Sequence, residues 1–176
     1  LFFIPELGRT RRIWAYLPPD YYNSNNSYPV LYMQDGQNLF DVVYAFGSEW
    51  NVDESMQALF NSFSPSAIIV GIDNGEAERL NEYSPWVNTE YGGGQGEAYS
   101  EFIVNTLKPF IDATFRTLPD REFTGIMGSS MGGLISFYSS ISNQNVFSKA
   151  GIFSPSFWFS DSIYSFISQT GPLSPM

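Results

Sequence analysis

Residues 123–141 read FTGIMGSSMGGLISFYSSI, and the hydrophobic period changes within them. Phe123 to Met127 is a short apolar run suited to a strand, whereas Leu134, Ile135, Tyr138 and Ile141 recur at helical spacing. Between the two lies Gly128-Ser129-Ser130-Met131-Gly132-Gly133, a G-x-S-x-G match with Ser130 at its centre. A serine on so sharp a strand-to-helix turn needs strained backbone angles, and Gly128 and Gly132 remove the Cβ atoms that would collide there. The turn also sets Ser130 at a helix N-terminus, where free N–H groups and the helix dipole favour developing negative charge. Met131 would then offer a backbone N–H to an oxyanion. The plainer alternative is a glycine-rich turn in which Ser130 caps a helix.

Working outward, the flanking chain alternates strands and helices. Arg12 to Leu17 alternates apolar and polar residues and predicts a strand with one face on a core, ended by Pro18-Pro19. Val30 to Met33 is a short buried strand closing on Asp35-Gly36. Met56, Leu59, Phe60 and Phe63 predict a helix capped by Asp53 and stopping near Pro65. Ala67 to Ile72 is a buried strand rich in β-branched residues. A long loop, Asp73 to Gly96, carries Tyr83, Trp86, Tyr91 and three consecutive glycines, and its length marks it as mobile or functional. Tyr99, Phe102, Ile103, Leu107, Phe110 and Ile111 predict an amphipathic helix, with Pro109 kinking it or marking its final turn. Ala150 to Phe153 is a further strand, and Asp161 caps a last helix through Ile163, Phe166 and Ile167. Thr170 to Met176 reads as a tail. This alternation predicts an α/β architecture in which a mainly parallel sheet is covered on both faces.

Composition narrows the chemistry. The 176 residues suffice for one core and are too few for two typical domains. Eighteen acidic against eight basic residues give a net charge of −10, which disfavours a phosphate-tracking groove and hence nucleic acid. No apolar run approaches the roughly 20 residues of a membrane span, so no membrane partner is expected, and Leu1 to Ile4 is too short for a secretory leader. There is no cysteine, which removes disulfides, thiol nucleophiles and thiolate metal sites. There is also no histidine, the usual general base near neutral pH, so a Ser-His-acid enzyme must find its base outside these residues.

A second oxyanion donor belongs in the turn after an earlier strand, and Met33-Gln34-Asp35-Gly36-Gln37-Asn38 occupies that place. The N–H of Gln37 is the candidate; an ordinary Asp-Gly turn is the alternative.

The segments YPVLYMQDGQNLFD (28–41), EYSPW (82–86), LKPFIDATFRT (107–117), GSSMGGLISFY (128–138) and AGIFSPSFW (150–158) together resemble the esterase family of α/β-hydrolases. That family takes in siderophore, feruloyl and acetylxylan esterases. The resemblance spans nearly the whole chain, in the family's order. It implies a three-layer α/β-hydrolase domain over residues 1–176. It further implies a serine hydrolase of carboxylic esters, with Ser130 as nucleophile, Met131 and Gln37 as oxyanion donors, and neither metal nor organic cofactor. Asp35, Arg79, Glu82, Tyr83, Trp86 and Trp158 fall where such proteins border the substrate cleft. The alternative for this set is an Arg79–Glu82 ion pair with aromatic packing.

The chain departs from the family where it ends. In these hydrolases the acid and the histidine follow the serine on later strands. The expectation is therefore a domain lacking its C-terminal strands, inactive by itself, with an exposed sheet edge that favours self-association. Asp161 and Lys149 match no arrangement of the family as substitutes for the base. Three readings stand beside the esterase: a non-catalytic binding module on a hydrolase scaffold, an acyltransferase of the same fold, and an assembly fragment without activity. The esterase expectation carries a small-molecule or carbohydrate-linked ester as substrate.

Overall fold

The structure is a computed structural model and describes residues 1–63 and 66–172. Its centre is a five-stranded sheet in the order β3-β5-β4-β8-β9. The strands are β3 (Ile13–Tyr16), β4 (Val30–Gln34), β5 (Ile68–Ile72), β8 (Thr124–Ser129) and β9 (Lys149–Phe153). β3 runs antiparallel to β5, and the other pairs are parallel. Two small hairpins flank it: β1 (Phe2–Ile4) with β2 (Arg9–Arg11), and β6 (Val87–Asn88) with β7 (Gly92–Gly93).

Period-2 alternation sorts the strand side chains between two cores. Val30, Tyr32, Ile68, Val70, Ile72 and Ile126 point into the larger one, where Ile68, Val70 and Ile72 are fully shielded from water. Burial of each such aliphatic side chain stabilises the fold by about 1.5–3 kcal/mol. α5 (Met131–Ser142) and α6 (Ser162–Gln169) cover this face through Leu134, Ile135 and Ile163. So does a continuous helix made of α3 (Gly96–Glu101), a π-helical stretch (Phe102–Leu107) and α4 (Lys108–Thr114), through Phe102, Ile103 and Leu107. The opposite face receives Leu31, Met33, Ile69 and Met127, packed against Val52 and Met56 of α1 (Val52–Phe63). α1 buries none of its residues fully, and an apolar groove of about 730 Å³ lies over Leu31, Gly125, Met127 and Gly151 on this face.

Several expectations need correction. The chain enters α1 one residue before Asp53, so Asp53 lies in the first turn rather than at the cap, and Leu59 and Phe63 face solvent. The stretch from Asp73 to Gly96 is not a bare loop: it contains α2 (Arg79–Glu82) and the β6–β7 hairpin. Pro109 does not mark a final turn, since α4 runs on to Thr114. The preceding π-helical turn carries bonds such as Lys108 N–H to Ile103 O, and the proline enters the first turn of α4, where a missing N–H costs least. β8 and β9 begin one residue away from their expected starts, and α5 begins directly after Ser130 rather than at Leu134. Asp161 does precede α6, but its side chain makes no capping hydrogen bond. The β1–β2 hairpin was invisible to hydrophobic period because each strand has three residues. Pro65 and the last residues of the expected tail, 173–176, lie outside the described residues. Among the described residues, no helix is long and apolar enough to cross a membrane.

Candidate active site

The order of strands reverses between β4 and β8: after β4 the chain adds β5 on one side and β8 on the other. In open parallel sheets the crevice beyond the C-terminal strand ends at such a reversal is the habitual ligand site. Asp35 follows β4 there and Ser130 follows β8.

Ser130 stands at φ 58° and ψ −122°, a conformation costly for a residue with a Cβ. It is exposed at the mouth of α5. Three hydrogen bonds hold it: its N–H donates to Phe153 O (3.0 Å), and its carbonyl accepts from Leu134 N–H (3.0 Å) and Ser156 N–H (3.0 Å). Its Oγ lies 3.1 Å from the Oγ of Ser156, a buried residue. Beneath it, a Cβ on Gly132 would come within 3.0 Å of Asp35 Oδ2, so the elbow packs directly on the β4 turn.

A cavity of about 170 Å³ opens beside Ser130, lined also by Gln34, Asp35, Asn38, Leu39, Trp50, Arg79 and Ser129. Arg79 clamps Asp35 with two bonds, Nε to Oδ1 at 2.7 Å and Nη2 to Oδ2 at 2.9 Å, and Asn74 Nδ2 donates a third at 2.7 Å. Burial alone would lower the Arg79 pKa, but the bonds and charge of Asp35 raise it above the usual guanidinium value. The guanidinium also lies 5.1 Å from the centre of the Tyr83 ring. The Tyr83 hydroxyl accepts the Asp35 N–H at 3.1 Å, while burial, then the Asp35 charge, push its own pKa well up and keep it neutral. These contacts hold Asp35 at φ 55° in the left-handed region, which turns the chain sharply into the one-turn helix Gly36–Asn38.

The oxyanion candidates are both backbone amides. Met131 is the first residue of α5, so its N–H has no intrahelical acceptor. The turn after Asp35 bonds through Asn38 N–H to Asp35 O and Leu39 N–H to Gly36 O, which leaves the Gln37 amide outside those bonds. The Gln37 side chain goes elsewhere. Its Oε1 accepts Asn74 N–H at 3.1 Å, and it lines a second cleft of about 550 Å³ with Arg12, Tyr44, Phe46, Asp73 and Arg79. Arg79 borders both cavities.

The remaining expected cleft residues separate. Glu82 is fully buried, does not line the Ser130 cavity and pairs with Arg9 (2.8 Å) and Arg11 (2.6 Å); the alternative Arg79–Glu82 pair is not formed, because Arg79 is taken by Asp35. Trp86 packs edge-on against Tyr138 and Phe166 and does not line the Ser130 cavity. Trp158 is 68% exposed and contacts Tyr91, two residues beyond Ser156.

Gln34, Asn38, Trp50 and Ser156 were not singled out in the sequence. Asn38 ties the loop that follows it to the cavity rim: its Oδ1 accepts Phe46 N–H and its carbonyl accepts Trp50 N–H, both at 2.8 Å. Trp50 stacks edge-on against Phe153. Gln34 Oε1 accepts a 2.5 Å bond from the Tyr99 hydroxyl, while its buried Nε2 has no acceptor among the described residues. Ser156 lies inside the quoted segment 150–158, but nothing in its spacing from Ser130 announces the contact.

A mainly parallel sheet with a serine on a strained strand-to-helix turn at the reversal crevice defines the α/β-hydrolase class. Residues 4–170 match the family described as "Putative esterase", and the chain belongs to that family. It is 31% identical over 156 residues to "Uncharacterized protein YbbA" of Bacillus subtilis (strain 168), covering 85% of this chain and 58% of that protein. Among solved structures it resembles an IroE-like serine hydrolase from Shewanella oneidensis, with 27% identity, a TM-score of 0.72, and coverage of 93% of this chain and 52% of that one. The siderophore hydrolase EstA from Aspergillus nidulans shares the fold, with 18% identity, a TM-score of 0.73, and coverage of 94% and 64% respectively. The chain thus spans less than two thirds of the length of each.

Proposed function

We propose that this chain carries the nucleophile and oxyanion half of a serine carboxylic-ester hydrolase. Ser130 Oγ attacks the ester carbonyl, an acyl-enzyme forms as the alcohol leaves, and water releases the acid. The amides of Met131 and Gln37 hold the tetrahedral oxyanion, each lowering the barrier by roughly 3 kcal/mol. The base and its acid partner come from residues other than these 176, which contain no histidine. The observation that carries the reading is Ser130 at φ 58°, exposed at a helix N-terminus beside a cavity. Family membership and the similarity to the IroE-like serine hydrolase support it. The substrate is a small or carbohydrate-linked ester, with Arg79, Asp35 and Trp50 at the rim that meets it.

The test is hydrolysis of p-nitrophenyl acetate by the full-length protein that includes these residues. Ser130→Ala should abolish turnover while the protein stays folded. Wild-type rates in that variant would refute the assignment.

A further inference from the structure

Ser156 follows β9 on the segment Ser154–Ser156, which begins with Ser154 at φ 40°. That segment is clasped to the elbow. Phe153 O accepts the Ser130 N–H and Ser156 N–H donates to Ser130 O, each at 3.0 Å. The approach is close enough that a Cβ on Gly133 would lie 3.0 Å from Phe153 O and 3.2 Å from Pro155 Cα. The Ser156 side chain is 4% exposed, and the hydrogen-bond partner its hydroxyl has among the described residues is Ser130 Oγ. A buried hydroxyl without a partner is unfavourable, so this one is committed to the nucleophile.

We infer that Ser156 is a positioning residue for Ser130, holding its Oγ in the attacking rotamer and donating to that oxygen as its proton departs. The inference rests on the ester-hydrolase reading. In the resting state either hydroxyl can donate. Once the base accepts the Ser130 proton, Ser130 Oγ is acceptor only, and the Ser156 proton is the neighbouring one available to it from this segment. A hydrogen bond to an oxygen gaining charge is stronger than one between neutral hydroxyls. The bond therefore tightens on the way to the transition state. It weakens again in the acyl-enzyme, where the same oxygen is a poorly basic ester oxygen. Its benefit falls on the steps that form and break the Ser130 ester, acylation and deacylation alike, and not on substrate binding.

Ser156→Ala removes the hydroxyl, and Ser156→Cys fills the site with a slightly larger group that is a much weaker donor. With p-nitrophenyl acetate and the full-length protein, both variants should lose about tenfold in kcat, the effect of one modest hydrogen bond on a barrier, with KM within about twofold. Both should keep the wild-type near-ultraviolet circular dichroism. Loss in the alanine variant but not the cysteine variant would mean packing alone, and overturns the inference. Wild-type kcat in both overturns it equally. An inert wild-type protein would instead refute the ester-hydrolase reading, and the inference with it.

Discussion

Gly128 and Gly132 meet so closely that a Cβ on Gly128 would stand 2.3 Å from the carbonyl oxygen of Gly132. No side chain fits in that gap, and the contacting atom is backbone, so any side chain there must push the first turn of α5 off the end of β8. Gly128→Ala should lower stability by about 1–3 kcal/mol through overpacking. It should also abolish reaction at Ser130 in the protein that remains folded. Thermal melts together with the rate of covalent labelling would show whether both fall.

Glu82 and Asp35 both accept guanidinium groups, but their partners make opposite predictions. Glu82 is fully buried beneath Arg9 and Arg11. Glu82→Gln leaves Arg11 without its anion and Arg9 with Glu78 alone, at 3.2 Å, and should destabilise by about 3 kcal/mol. Labelling of Ser130 should be unchanged below the unfolding transition. A specific loss of ester turnover without a loss of stability would return Glu82 to the substrate cleft.

Arg79→Ala removes the two-pronged clamp on Asp35 that maintains the left-handed turn beside Ser130. The side chains are 25% and 14% exposed, so the cost should stay near 2 kcal/mol. Ester turnover should fall as well, since the turn carries the Gln37 amide. A double-mutant cycle with Asp35→Asn should show coupling of about 1 kcal/mol or more. Additive losses would mean that the pair does not act as a unit.

Asp73, in the second cleft, has a carboxyl pKa raised above the ordinary 3.8, because burial outweighs the Trp14 hydrogen bond and the charges of Arg12 and Arg11. The folded state therefore holds that proton more tightly than the unfolded state. The resulting stabilisation is complete below the ordinary value and is lost as pH rises through the raised one. Asp73→Asn retains an oxygen for the Trp14 indole and cannot ionise. Relative to wild type it should gain stability between about pH 3 and about pH 6. Urea unfolding at the two pH values measures the difference, and a relative loss would contradict the burial argument.

The parallel sheet and the serine elbow were legible because both are written locally. Ile68, Ile69, Val70 and Ile72 announce a buried strand, and two glycines bracket Ser130 between a strand period and a helix period. The ion pairs were not legible, since Arg9 and Arg11 lie about 70 residues from Glu82 and nothing in the chain shows that Arg79 prefers Asp35. Trp86 looked like a cleft aromatic by its place in EYSPW, yet the docking of α6 through Phe166 turns it into packing. Ser156 escaped for a related reason. Its contact with Ser130 exists because β8 and β9 are paired, a pairing of residues some 25 positions apart.

The central claim is that the Ser130 hydroxyl is a nucleophile. Treating the full-length protein with a fluorophosphonate and mapping the adduct by peptide mass spectrometry tests it most directly. A single adduct on Ser130, absent from Ser130→Ala, is the expected result. A folded protein that takes up no label, or takes it up equally after Ser130→Ala, would contradict it.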